Sequence, residues 1–295
     1  MTVVRRLLPA LLILILFGCS GSLAGPEPTA TTSVASTTFP PAETTTVSVT
    51  TTVVTTTTVF NPYARPDWLG TRLLPLRPDE FGEVQPTPPE LQDRQLETLD
   101  LLPPPGGEDF SWSIDPIPDD VLARASWVPE CPVTLEELSY LTMSHFGFDH
   151  EFHTGEMIVN AAVAEDVVEV FRRLHEARFP LEQMRVITKE EIDAHPTGDW
   201  NDTTSFVCRP AVGSESWSQH AFGLAIDINP FHNPYVKGDL VLPELASAYA
   251  DREDVLVGMI VAGDVVTDAF AGMGWGWGGN WKTLKDWMHF SQSGR

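Results

Sequence analysis

Between Gly223 and Pro230 the chain has little conformational choice. Leu224, Ile226 and Ile228 alternate with Ala225, Asp227 and Asn229. A period of two sends the aliphatic side chains to one face and the small or polar ones to the other. Gly223 permits a tight turn before the run, and Asn229-Pro230 ends it. The pattern predicts a strand with one face on a core and the other turned towards a site. Asp227 lies on the site face, and Ser218 and His220 come just before the turn.

A second stretch, Asp286-Trp287-Met288-His289, complements the first. Together they offer two imidazoles, one ligand carboxylate and a spare carboxylate. Zinc takes neutral imidazole nitrogen and carboxylate oxygen, and a catalytic site needs three protein ligands with a position left open. The candidate ligands are His220, Asp227 and His289, with Zn2+ as cofactor. Asp286 is the candidate general base, because three residues on an irregular or bulged strand can aim it and His289 at one water. Arg209 can stabilise an oxyanion or bind a substrate carboxylate. Ser218 can bind substrate or orient the ligand histidine. Singly, each residue has a plainer explanation, a surface aspartate or a structural histidine. Their combination carries the reading.

The composition divides the chain. Arg5 and Arg6 precede an apolar run from Leu7 to Phe17, and Leu16-Phe17-Gly18-Cys19 resembles a lipobox, so residues 1–24 read as a signal peptide with Cys19 lipidated. An ordinary secretory signal is the alternative. Residues 25–60 are a Thr/Ser/Pro-rich stalk with no pattern able to bury a core. Residues 61–118 form a Pro-rich lead-in, within which residues 90–102 fit one short amphipathic helix. The compact domain is expected over residues 119–295. The placement that follows is outside the cytoplasm, anchored by lipid to a bacterial membrane and facing the wall, as a monomer. Of three cysteines, a lipidated Cys19 would leave Cys131 and Cys208, a pair expected to oxidise outside the cytosol. Two buried thiols are the alternative. A net charge of -23 repels phosphate backbones and argues against nucleic-acid partners.

Within the domain, Thr134 followed by Glu136 and Glu137 reads as a helix start continuing through Leu138 and Leu141. Residues 156–159 read as a strand and residues 161–177 as the clearest helix, with His175 on its solvated face. Strand character follows at residues 184–187 and 203–209, a helical turn at 190–194, and a helix at 265–270. His145, His150 and His153 cluster without the spacing of a helical zinc motif. His153 is a candidate for lining a substrate cleft. Trp277, inside a Gly/Trp run from 272 to 281, reads as a stacking platform or as a wedge against the core.

Ser218-x-His220-x-x-Gly223-x-Ala225-x-Asp227, closed by Asp286-x-x-His289, resembles the D-alanyl-D-alanine carboxypeptidase family of zinc peptidases (VanY-like), a group that includes phage L-alanyl-D-glutamate endolysins. The likeness runs from about Cys131 to Phe290 and extends to Thr204-Ser205-Phe206, Asn233-Pro234-Tyr235 and Gly274-x-x-Trp277-Gly278-Gly279-x-Trp281. It implies an α+β fold of the hedgehog/D-Ala-D-Ala peptidase kind, with an antiparallel sheet carrying zinc and helices on one side. It implies His220, Asp227 and His289 as ligands, Asp286 as base and Arg209 as a substrate or transition-state contact. Peptidoglycan stem peptides would be the substrate. Many relatives carry glutamate where this chain has Asp286. The implied activity is D-Ala-D-Ala carboxypeptidase. An L-Ala-D-Glu or L,D-endopeptidase is the enzyme alternative, and a non-catalytic zinc-binding wall module is the alternative of another class.

Overall fold

Leu141 and Met143 on one strand, with Met157 and Val159 on the next, form an apolar face that a helix covers. That is the nucleus of the computed structural model, which describes residues 61–295. The expected signal, lipidated Cys19 and stalk fall in residues 1–60, outside the described residues. Strands β1 (Trp112–Asp115), β2 (Leu138–Phe146) and β3 (Phe152–Asn160) form an antiparallel sheet in that order. Helix α1 (Asp119–Arg124) lies between β1 and β2 in sequence, and helix α2 (Ala164–Glu176) follows β3. Val167, Val170, Phe171 and Leu174 of α2 pack on the sheet. The Asn160 side chain accepts from Ala162 N and starts a 3-10 turn, Ala161–Val163, that leads into α2.

Shorter elements follow. Strand β4 (Gln183–Met184), helix α3 (Lys189–Ile192) and strand β5 (Asp202–Thr203) lead to β6 (Ala225–Asp227), β7 (Tyr235–Lys237) and β8 (Leu240–Leu242). Helix α4 (Val265–Gly272) precedes β9 (Gly276–Trp277), β10 (Lys285–Asp286) and β11 (His289–Ser291). Two antiparallel sheets matter for the site, ordered β6-β11-β9 and β10-β7-β8. The fold is α+β, with its antiparallel strands shared among short sheets. Ile226, Ile228 and Phe290 turn into the core that α2 and α4 line. Phe270 of α4 stacks on Phe290 with ring centroids 4.1 Å apart. Cys131 and Cys208 form a disulfide across a sequence separation of 77. On the chain-entropy estimate, closing such a loop stabilises the fold by about 4 kcal/mol.

Several expectations are corrected. Thr134 and Glu137 do form a capping box, but the helix lasts only Leu135–Glu137. The chain then enters β2, whose pairing on both edges with β1 and β3 outweighs a weak helical pattern. His175 is buried, not solvated: it stacks on Phe152 at 4.6 Å and meets Phe110 edge-on.

The division at residues 118/119 is also corrected, because the lead-in supplies core. Leu74, Leu91 and Leu96 are buried with Phe231, Val241, Leu245, Tyr249 and Met259. No helix spans residues 90–102; a single 3-10 turn, Pro89–Leu91, is present. Beyond it the backbone is drawn to the domain, with Arg94 N donating to the Tyr249 hydroxyl at 2.8 Å. The Arg94 guanidinium, 1 % exposed, donates to both oxygens of Glu182 at 2.7 Å and to Asp199 O at 2.7 Å. Burial alone would raise the Glu182 carboxyl, but Arg94 and then Arg65 hold it down to about 2.

Candidate metal centre

The predicted strand forms at β6, shorter than the alternating run. Its pleat explains the site. Ile226 points into the core, so its neighbour Asp227 points the other way. On β11, Phe290 points into the core and His289 away from it. The antiparallel register sets His289 opposite Asp227 and Phe290 opposite Ile226. Two candidate ligands therefore stand side by side on one face.

His220 arrives from a different kind of element. Gln219–Phe222 is a 3-10 turn whose first donor, His220 N, is capped by the Ser218 hydroxyl at 3.3 Å. Gly223 ends the turn at φ +65°. A Cβ on Gly223 would lie 2.5 Å from Asn160 N, so glycine is required both by conformation and by contact. Asn160 N donates to Gly223 O at 2.9 Å, and the Asn160 side chain donates to Phe222 O, docking the turn on the end of β3.

Three ligand atoms converge as a result. His220 Nε2 lies 3.2 Å from His289 Nδ1 and 3.2 Å from Asp227 Oδ2, and His289 Nδ1 lies 3.0 Å from Asp227 Oδ1. Tetrahedral bonds of about 2.0–2.2 Å separate ligand atoms by about 3.3–3.6 Å, so small outward shifts accommodate an ion. His220 Nδ1–H donates to Ser205 O at 2.6 Å, which leaves the Nε2 lone pair directed at the other two ligands. Burial would raise the Asp227 carboxyl, but the neighbouring imidazoles, His220 first and then His289, hold it far below the ordinary carboxylate range. A His/Asp/His group able to hold a metal is thus in place, and its donor set fits zinc.

Asp286 reaches the same region from the other sheet. Residues 287–288 break the strand: β10 pairs with β7, whereas β11 pairs with β6 and β9. The irregularity expected between Asp286 and His289 is therefore a change of sheet. Trp277 Nε1 donates to Trp287 O at 2.9 Å and fixes the break. The Trp277 ring lies parallel to that of Phe290 and packs against the core. Asp286 Oδ1 is buried and accepts no hydrogen bond among the described residues. Burial pushes its carboxyl well above the ordinary range; the Asp227 charge adds to this, while His289 and Arg209 oppose it. Gly278 makes this placement possible, since a Cβ there would come within 2.5 Å of Asp286 O.

Arg209 is half-buried and close enough to bias Asp286, with one guanidinium contact, to Pro210 O at 3.1 Å. Its backbone oxygen accepts from Ser218 N, so Arg209 and Ser218 close the neck of a hairpin formed by residues 210–217. Ser218 is buried and caps the ligand turn; its hydroxyl serves His220 rather than open space.

His153 is not part of the site. It bonds Asp100 and Asp149 at 2.9 and 3.0 Å, seven residues along β3 from Asn160, or roughly 23 Å at strand rise. It thus lies towards the opposite end of β3 from Asn160, on which the His220 turn docks. One participant carried no assigned role in the sequence, Ser205, which contributes a carbonyl and so leaves no side-chain signature; Trp281, from the Gly/Trp run, tilts its ring against His289 at 5.5 Å.

No curated protein and no solved structure matches the chain. The family comparison falls on the site, beginning just after Arg209. Residues 212–292, which carry His220, Asp227, Asp286 and His289, match the model of the peptidase family described as D-alanyl-D-alanine carboxypeptidase.

Proposed function

We propose that the protein is an exported zinc peptidase that trims peptidoglycan stem peptides, releasing the terminal D-alanine of a D-Ala-D-Ala end. The observation that carries this reading is the convergence of His220, Asp227 and His289, together with an Asp286 whose Oδ1 is buried and has no hydrogen-bond partner among the described residues. A binding module needs the three ligands but has no use for a desolvated carboxylate at that position.

Zinc held by the three ligands would supply Lewis-acid polarisation of the scissile carbonyl. Asp286 takes a proton from the attacking water and passes it to the leaving amine nitrogen. A carboxylate raised by burial is the stronger base for the first step, and its raised pKa lets it hold that proton until the leaving amine takes it. Arg209, at the mouth of the 210–217 hairpin, binds the developing oxyanion or the substrate's terminal carboxylate. The lipobox-like Leu16-Phe17-Gly18-Cys19 and the Thr/Ser/Pro-rich run after it fit a protein held at the membrane and facing the wall.

The test is incubation of the purified protein with muropeptides, with zinc and with chelator, followed by mass spectrometry. Chelator-sensitive release of D-alanine is expected. Cleavage between L-Ala and D-Glu, or at an L,D bond, would reassign the activity to an endopeptidase. No product at any zinc level would leave a non-catalytic module.

A further inference from the structure

Tyr235 is the residue that the site leaves without a role. On β7 it is the register partner of Asp286 on β10. Directly opposed residues of an antiparallel pair project from the same face, with Cβ atoms about 4.5–5.5 Å apart. The phenol is the longer side chain. No group among the described residues hydrogen-bonds to its hydroxyl, and Asp286 Oδ1 is likewise unpartnered. The two side chains are thus register neighbours that do not hydrogen-bond to each other. Tyr235 is half-buried. Burial, and then the Asp286 charge, push the phenol above its ordinary range, so it remains a proton donor where the peptidase would work.

The backbone that carries Tyr235 is held from several directions. Its other strand neighbour is Leu242 on β8. Two residues upstream, buried Asn233 donates to Ile228 O, Asn229 O and Gly258 O. Arg252 bonds Asn233 Oδ1 at 3.3 Å and His232 O at 2.9 Å, and lies over the Trp287 ring. Arg252 thus links the segment before Tyr235 to the residue after Asp286. Such fixation suits a donor that must already be aimed before charge develops.

We propose that Tyr235 is a further catalytic residue, its hydroxyl donating a hydrogen bond to the scissile carbonyl oxygen as negative charge builds on it. The proposal rests on the peptidase reading above and adds a donor to it. The phenol keeps its proton throughout, and the proton transfers stay with Asp286.

Tyr235→Phe removes the hydroxyl and keeps the ring. The expected result is a kcat about 100-fold lower, KM within about twofold, and zinc content and melting temperature unchanged. A phosphinate analogue of the tetrahedral intermediate should bind more weakly to the variant by a similar factor, a readout that needs no turnover. Unchanged kcat and unchanged phosphinate affinity, in a protein whose wild type is active, would overturn Tyr235 alone. A raised KM with kcat preserved would also overturn it, by making the phenol a ground-state anchor. If wild type neither turns over peptide nor binds the phosphinate, the peptidase reading falls, and Tyr235 with it.

Discussion

Asp286 faces Tyr235 across one pair of strands, while His289, three residues on, faces Asp227 across another. The base and the last ligand are thus neighbours in sequence held by separate sheets. Asp286→Asn should keep metal and fold but lower turnover by about 100-fold or more. Metal analysis beside D-alanine release checks this, and retained turnover would remove Asp286 as base.

Gly278→Ala probes the same placement without touching an ionisable group. A Cβ there would come within 2.5 Å of backbone oxygen, so the β10 backbone must shift. The expected outcome is reduced kcat with metal content unchanged. Equal loss of both would show that the two sheets move as one.

His289→Ala, or Asp227→Asn, removes one of three ligands. Metal retained after dialysis should fall at least tenfold, read by elemental analysis. Unchanged zinc content would contradict the ligand assignment.

Arg94→Met leaves the Glu182 carboxylate buried without its main partner. Breaking a buried pair in this way costs about 3–5 kcal/mol. The denaturant midpoint should drop accordingly, and the site geometry should follow only where unfolding has begun. For the same reason, a chain starting at residue 119 should fail to fold cooperatively, as judged by near-ultraviolet circular dichroism.

Stability should also fall on mild acidification. Burial lowers the His232 imidazole from 6.5 to about 4 and His145 to about 3. Below pH 6.5 the unfolded chain takes up protons that the folded chain refuses, so stability present at neutral pH is lost as pH falls from about 6.5 towards 4. Glu182, held at about 2, extends the loss below about pH 4.5. Denaturant midpoints at pH 7, 5.5 and 4.5 give the slope; a flat profile would contradict the burial of neutral imidazoles.

The three candidate ligands that converge were legible because each sits in a local pattern. The alternation around Asp227 fixed its face, and Gly223 announced the turn that delivers His220. What was hidden depends on pairing at a distance. Arg94 and Glu182 are 88 residues apart, and nothing near either one names the other. The proline clusters of residues 61–118 suggested an extended lead-in. An extended chain, however, can still bury Leu74, Leu91 and Leu96 wherever its backbone donors find partners outside itself. Thr134 misled for the opposite reason. Its capping box is real, but a cap sets only where a turn begins, and β2 gained more from two flanking strands than from another helical turn. His153 looked available because sequence gives no distance, and β3 carries it to the far end of the hairpin.

The change of sheet at residues 287–288 separates two properties that many metalloenzymes tie together. Drift in the β7–β8 hairpin would reposition the base against a substrate, while the β6–β11 pair kept its grip on the ion. A lineage, or a designer, could therefore exchange the peptide being cut without renegotiating metal affinity.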